Sequence, residues 1–175
     1  MCIRDRSPLT GCIGDAQGGG YFPAEMKFSG FDAVIIKGKS PKPVYLWLHH
    51  GEAELCDASH LWGLTTGDAE DKLKEELDDK RIEVLQIGPA GENLVRYSAL
   101  ISMSNRANGR TGMGAVMGSK NLKAIAVKGN HPIPVFDQTS LENIGQNLTK
   151  KSLFSILYRV CTRPQRKRTN YRPVR

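Results

Sequence analysis

The chain repeats part of itself. Residues 16–44 lie over residues 107–135 at a constant offset of 91 positions, without a gap and with 10 identities in 29 positions. Among the identical pairs are Gly18/Gly109, Ala24/Ala115, Met26/Met117, Ala33/Ala124, Lys37/Lys128 and Gly38/Gly129. A gapless match of that density indicates an internal duplication, and self-similarity at a fixed offset means one supersecondary unit built twice. Each copy opens in a glycine-rich stretch: Asp15-Ala-Gln-Gly-Gly-Gly-Tyr-Phe22 in the first, Arg106-Ala-Asn-Gly-Arg-Thr-Gly-Met-Gly114 in the second. Any fold for this chain must therefore place two similar loops. Two similar loops imply a ligand with two similar halves, or two copies of one ligand.

After its loop, each copy has room for a short helix and then a strand. Asp32–Gly38 is an apolar run closed by glycine and reads as a buried strand; Lys123–Lys128 is its repeat partner. Gly112–Met117 reads as the start of a short helix. Val44–His50 and Glu52–Cys56 flank Gly51 as a hairpin. Thr66 is placed to cap a helix over about 67–78, where Leu73 and Leu77 are four apart. Ile82–Ile87 and Val95–Ser102 read as strands, and Asp137 as the cap of a helix running to about Lys150. Helices and hairpin strands in this order give an α+β fold rather than a regular alternating parallel sheet.

The second loop carries the chemistry. Glycines ahead of a helix start leave backbone N–H groups open to an anion, and the helix dipole adds positive character there. Arg106 and Arg110 add guanidinium groups suited to phosphate. The competing reading is a turn whose glycines only allow close packing; duplication and the two arginines favour a ligand loop. For Gly18-Gly-Gly20 alone, a flat ligand in close backbone contact and a plain flexible turn remain equally open. Two known nucleotide patterns fail. A P-loop needs Gly-Lys-Ser/Thr, but the order is Gly118-Ser119-Lys120; a dinucleotide fingerprint needs G-x-G-x-x-G, but Gly109, Gly112 and Gly114 run the opposite way.

Other residue types are less specific. His49, His50, His60 and His131 show no paired metal spacing. Glu70, Asp71, Glu75 and Glu76 read as a solvated helix face, and Trp47 and Trp62 as core. Cys2, Cys12, Cys56 and Cys161 form no C-x-x-C pair, which excludes a local zinc or iron–sulfur site and fits free thiols in a reducing cytosol. No apolar run approaches a membrane span, and the N-terminus lacks a secretory signal.

The net charge of +7 belongs to one end: nine Lys or Arg and no acid lie between Asn143 and Arg175, which leaves −2 for the remainder. The tail 151–175 reads either as a basic arm for nucleic acid or acidic membrane, or as a frameshifted end without selected meaning. Residues 1–6, Met-Cys-Ile-Arg-Asp-Arg, resemble translated sequencing adaptor and are set outside the fold, which favours the second reading of the tail.

Several motifs together resemble the N-terminal domain of the aldehyde ferredoxin oxidoreductase family of tungsten-pterin enzymes. They are Ser7-Pro-Leu-Thr-Gly11, Gly19-Gly-Tyr-Phe22, Glu25-Met-Lys-Phe28, Lys42-Pro-Val-Tyr45, Asp57-Ala-Ser-His-Leu-Trp-Gly63, Ile87-Gly-Pro-Ala-Gly-Glu-Asn-Leu-Val95 and Gly114-Ala-Val-Met-Gly-Ser-Lys-Asn-Leu-Lys-Ala124. The resemblance covers residues 7–137, with 138–150 as the start of a following helical region.

The resemblance implies two β-sheets, built from the duplicated loop–helix–strand unit, that cradle a tungsten or molybdenum ion held by two molybdopterins. It implies pterin contacts from Gln17 and Gly19 in the first loop and from Arg106, Ala107, Asn108 and Gly109 in the second. It also implies a magnesium ion between the pterin phosphates, held by the backbone carbonyls of Gln17 and Ala107. The family often has Asn at position 17, Ala at 108 and Gly at 111; Thr111 would crowd a loop that prefers glycine. The implied activity is oxidation of an aldehyde to a carboxylic acid in the cytoplasm, with electrons leaving through a [4Fe–4S] cluster to ferredoxin. The family's cluster ligands, substrate-pocket residues and first pterin-contacting arginine have no counterpart in this sequence. The expectation is therefore a partial domain, inactive alone and part of a possible homo-oligomer when whole, with no membrane or nucleic-acid partner. The alternative is a non-catalytic nucleotide- or nucleic-acid-binding module that uses the glycine loops and the basic tail; a third reading is a structural accessory subunit.

Overall fold

The computed structural model describes residues 1–153 of the 175-residue chain. Two compact units divide it, Met1–Ile133 and a second that begins at Pro134. The first unit is α+β and holds two sheets. Strands β1 (Cys2–Arg6) and β2 (Ile13–Gln17) form an antiparallel pair. The larger sheet has six strands: β3 (Val44–His49), β4 (Glu52–Asp57), β5 (Glu83–Gln86), β6 (Leu100–Ser102), β7 (Arg106–Asn108) and β8 (Leu122–Lys128). Their order is β4-β3-β8-β5-β6-β7. Only the β3–β8 pair is parallel.

Strand β8 lies at the centre of the sheet and its composition shows it: Leu122–Val127 are all buried. A strand covered on both faces needs an apolar run rather than an alternation. Ile125 and Val127 face one core with Leu46, Leu48, Leu85 and Leu100. Helices α1 (Phe22–Phe28) and α4 (Met113–Ser119) cover that face through Phe22, Met113 and Met117. The small side chains of Ala124 and Ala126 face the other core, with Tyr45, Val84 and Leu73 of helix α2 (Thr66–Glu76). The short helix α3 (Pro89–Glu92) packs tightly on α4, because a Cβ on Gly118 would collide with the Gly91 carbonyl.

Several elements depart from the sequence reading. The predicted strand Asp32–Gly38 joins no sheet; Ile35 is 83% exposed while Val34 and Ile36 lie half-buried on the α1/α4 core. A strand forms only where another backbone offers a ladder, and both edges of its repeat partner β8 are taken by β3 and β5. The cap of α2 is Thr65, not Thr66: its Oγ1 accepts from the Asp68 N–H at 3.3 Å. Of Val95–Ser102 only the last three residues are strand; Ser98 N–H turns back to the Val95 carbonyl at 2.9 Å. Residues 2–6, set aside above, pair with β2 from Cys2↔Gln17 to Arg6↔Ile13.

The second unit contains helix α5 (Gln138–Leu153), capped as expected by Asp137, whose Oδ1 accepts from the Ser140 N–H at 2.9 Å. That cap holds the Asp137 carboxyl below its usual range, chiefly through the Ser140 hydroxyl and N–H. The basic tail falls largely outside the described residues. No helix among those described is long and apolar enough to cross a membrane.

Candidate functional site: two apposed glycine loops

The duplication is visible in the helices. Helix α1 spans Phe22–Phe28 and α4 spans Met113–Ser119, offset by the 91 residues of the repeat at both ends. Each loop runs from a strand end to its helix: Gln17 closes β2 and Asn108 closes β7, while Tyr21 ahead of α1 is right-handed and Gly112 ahead of α4 left-handed.

The two loops touch. Asn108 is wholly buried, and its Nδ2 donates to the Ala16 carbonyl at 3.4 Å. A Cβ on Gly18 would lie 2.5 Å from Asn108 Oδ1, so glycine is what lets the amide sit there. The Tyr21 N–H donates to Met103 Sδ at 3.2 Å, and a Cβ on Gly20 would lie 2.7 Å from the same sulfur. Gly20 has φ +104°, where side chains are strained. Around this junction Gln17, Gly19, Arg106, Ala107 and Gly109 are all exposed. Added Cβ atoms at Gly19 and Gly109 would meet nothing within 4 Å. Five of the six sequence-designated residues are thus accessible to solvent in the two loops and the strand ends that lead into them. The side chain of the sixth, Asn108, turns inward as the bolt between the loops.

This geometry tests whether a bis-pterin group fits. The surface offers two apposed stretches of accessible glycine backbone with Arg106 and Arg110 exposed beside them, as a ligand with two phosphate-bearing halves requires. Asn108 Oδ1 is buried without a hydrogen-bond partner, an orphan acceptor at the centre of the junction. Gln17 and Ala107, the two residues assigned to magnesium, flank the Ala16–Asn108 and Gly18–Asn108 contacts. The residues present fit the group.

Supporting residues escaped the sequence reading. Ser7 Oγ donates to the Thr111 carbonyl at 2.8 Å and accepts from the Leu9 and Thr10 N–H groups at 3.2 and 3.3 Å. It ties the Ser-Pro-Leu-Thr turn to the second loop; such a local turn is the readable signal in that motif. Thr111 has φ 65° and Gly112 φ 72°, two successive left-handed residues of which the first is β-branched. The crowding expected at Thr111 is thus a backbone fact. Gly112 cannot carry a side chain, since a Cβ would overlap the Arg96 carbonyl. Glu70 is not a solvated acid: it is 6% exposed, accepts from Lys74 Nζ at 2.5 Å and from Ser104 Oγ at 3.0 Å. It anchors the turn at Met103 and Ser104, both at positive φ, from which Arg106 emerges. Glu76 is exposed, as a solvated helix face requires, and also accepts from the Tyr45 hydroxyl at 2.9 Å. Burial of Tyr45, with its bonds to Cys56 and Glu76, pushes its hydroxyl pKa well up.

The chain is similar to known proteins over most of its length. Residues 1–129 match the family described as aldehyde ferredoxin oxidoreductase, N-terminal domain. The tungsten-containing aldehyde ferredoxin oxidoreductase of Pyrococcus abyssi is 53% identical over 133 residues, 76% of this chain and 22% of that protein. The protein of the same description from Pyrococcus furiosus is 49% identical over the same length and shares. The aliphatic sulfonate oxidoreductase, WOR-like subunit, of Pyrococcus furiosus is 39% identical over 145 residues, 75% of this chain and 23% of that one. Among solved structures, the active site complex BamBC of benzoyl coenzyme A reductase with 1,5-dienoyl-CoA superposes with a TM-score of 0.82 at 34% identity. It covers 87% of this chain and 23% of its own. The chain therefore spans between a fifth and a quarter of the length of the relatives it matches.

Proposed function

We propose, because this chain belongs to the aldehyde ferredoxin oxidoreductase family, that it is the cofactor-cradling part of a bis-pterin oxidoreductase containing tungsten or molybdenum. The whole enzyme would oxidise an aldehyde to a carboxylic acid and deliver the electrons through a [4Fe–4S] cluster to ferredoxin. The observation that carries this reading is the apposition of the two glycine loops through Asn108, Gly18, Met103 and Gly20. Tungsten as the metal is supported by the relatives about half identical to this chain, which are tungsten-containing enzymes.

When bound, the metallopterin supplies oxygen-transfer and two-electron chemistry. The residues of this chain bind and orient it. Gly19 and Gly109 would admit the pterins to close backbone contact, and Arg106 and Arg110 would neutralise phosphate charge through the fork of N–H donors a guanidinium presents. The carbonyls of Gln17 and Ala107 would meet magnesium, a hard cation that takes oxygen ligands. Asn108 would keep the loops at a fixed separation, so the two halves of the cofactor meet a preorganised surface.

The test is metal analysis of the gene product carrying this segment, expressed with tungstate and the pterin pathway present. One tungsten or molybdenum per chain is expected. Arg106→Ala should lower that occupancy while leaving the circular-dichroism melt in place. Metal-free protein from the unmutated gene would remove the oxidoreductase reading.

A further inference from the structure

At the far end of α1 from the glycine loops, the β3–β4 hairpin tip packs on the helix C-terminus: the Gly51 N–H donates to the Ser29 carbonyl at 2.7 Å. His50 and Gly51 have φ 47° and 83°, two left-handed residues that close a two-residue turn and hold its register. In that register His49 faces Glu52 and Trp47 faces Glu54, so all four side chains share one face of the hairpin.

We propose that this face is a binding site for a divalent first-row transition cation, with His49, Glu52 and Glu54 as ligands. One donor atom from each lies within 4.8 Å of the others. A cation about 2.0–2.2 Å from each donor holds them roughly 3–4 Å apart, so closure needs only small rotamer changes. His49 Nε2 already lies 3.1 Å from Glu54 Oε1. The imidazole is held in place: its ring stacks on Trp47 at 5.0 Å between centroids and 23° between planes. His50 sits edge-on to it at 5.8 Å, outside the three-donor group. The Glu52 carboxylate has no hydrogen-bond or ion-pair partner among the described residues. Two carboxylates on one face with a single imidazole leave net negative charge, and like charges side by side on a hairpin are unfavourable. A cation resolves that repulsion. Imidazole with carboxylates suits zinc and its neighbours rather than the softer metals that thiolates select. The site uses none of the residues assigned to the metallopterin.

The test uses the full 175-residue chain after chelator treatment, with zinc alone in calorimetry and cobalt(II) alone in fluorescence. Trp47 lies against the proposed ligand, so a paramagnetic ion there quenches its emission; Trp62 is the other tryptophan. One equivalent of zinc should bind saturably, and Glu54→Gln and His49→Ala should each weaken it by about tenfold or more. The cobalt quench should vanish in His49→Ala, with thermal melts of metal-free protein unchanged in both variants. Binding and quenching retained in both variants would place the metal elsewhere, on the thiols for example, and overturn the proposal. Absence of saturable binding to the unmutated chain would overturn it equally.

Discussion

The two copies of the repeat share residues but not circumstances. Gly38 and Gly129 are the same residue in each copy and are glycine for opposite reasons. Gly38 has φ +76° and open space around it, so only its backbone conformation asks for glycine. Gly129 has no such φ, but a Cβ there would collide with the Phe28 carbonyl and Ser29 nitrogen. Ala33 is exposed while Ala124 is fully buried between sheet and helix. Position 32 carries an aspartate 79% exposed; its equivalent, Lys123, is buried completely against Glu92. The second copy has become the centre of a sheet and the first has stayed at its margin. Burial, more than residue identity, decides what each equivalent residue does.

The largest effect that would break this contrast concerns the charged pair. Lys123 Nζ donates to Glu92 and, at 3.0 Å, to the Leu64 carbonyl, while Glu92 Oε2 accepts from the Gly63 N–H at 2.8 Å. Lys123→Ala leaves a buried carboxylate without its partner and should lower stability by about 3–5 kcal/mol. Asp32→Ala removes an exposed pair with Lys27 and should leave the urea midpoint where it was. Equal losses in the two variants would refute the difference in burial.

Next come the paired glycines. Gly129→Ala should cost about 3 kcal/mol or more, because backbone on both sides must move. Gly38→Ala should cost about 1 kcal/mol, the penalty of a left-handed side chain. Thermal melts of the two variants, run side by side, separate steric exclusion from conformational strain.

The smallest effect sharpens the comparison at the loops. Position 111 in the second copy is Thr at φ 65°, where the first copy has Gly20 at φ 104°. Thr111→Gly should gain about 0.5 kcal/mol, the relief of left-handed strain less the added freedom of glycine in the unfolded chain. Gly20→Thr should instead lose stability, since its Cβ would press on Met103 Sδ. A fall in melting temperature for Thr111→Gly would show that the threonine is held by contacts worth more than its strain.

Much of the site was readable from residues alone. The offset of 91 predicted paired loops, and the two helices reproduce that offset at both ends. The hairpin at Gly51 and the cap at Asp137 were legible because their signals are local. Glu70 was not, because an acid among acids on a helix looks solvated until Ser104 and Lys74 close over it. The link that Asn108 makes between the loops was not legible either, since its partner Ala16 lies 92 residues away. Nothing in a linear pattern reports such a separation.

The sequence by itself determined the duplication, the placement of the glycine loops ahead of their helices, and the confinement of positive charge to one end. These rest on interactions closed within a few residues, as a helix closes its hydrogen bonds four residues back. Only the tertiary structure decided which apolar run became a strand. Asp32–Gly38 and Lys123–Lys128 carry similar patterns, but a strand's hydrogen bonds must be completed by another segment. Strands β3 and β5 complete them for the second run, and no described strand does so for the first.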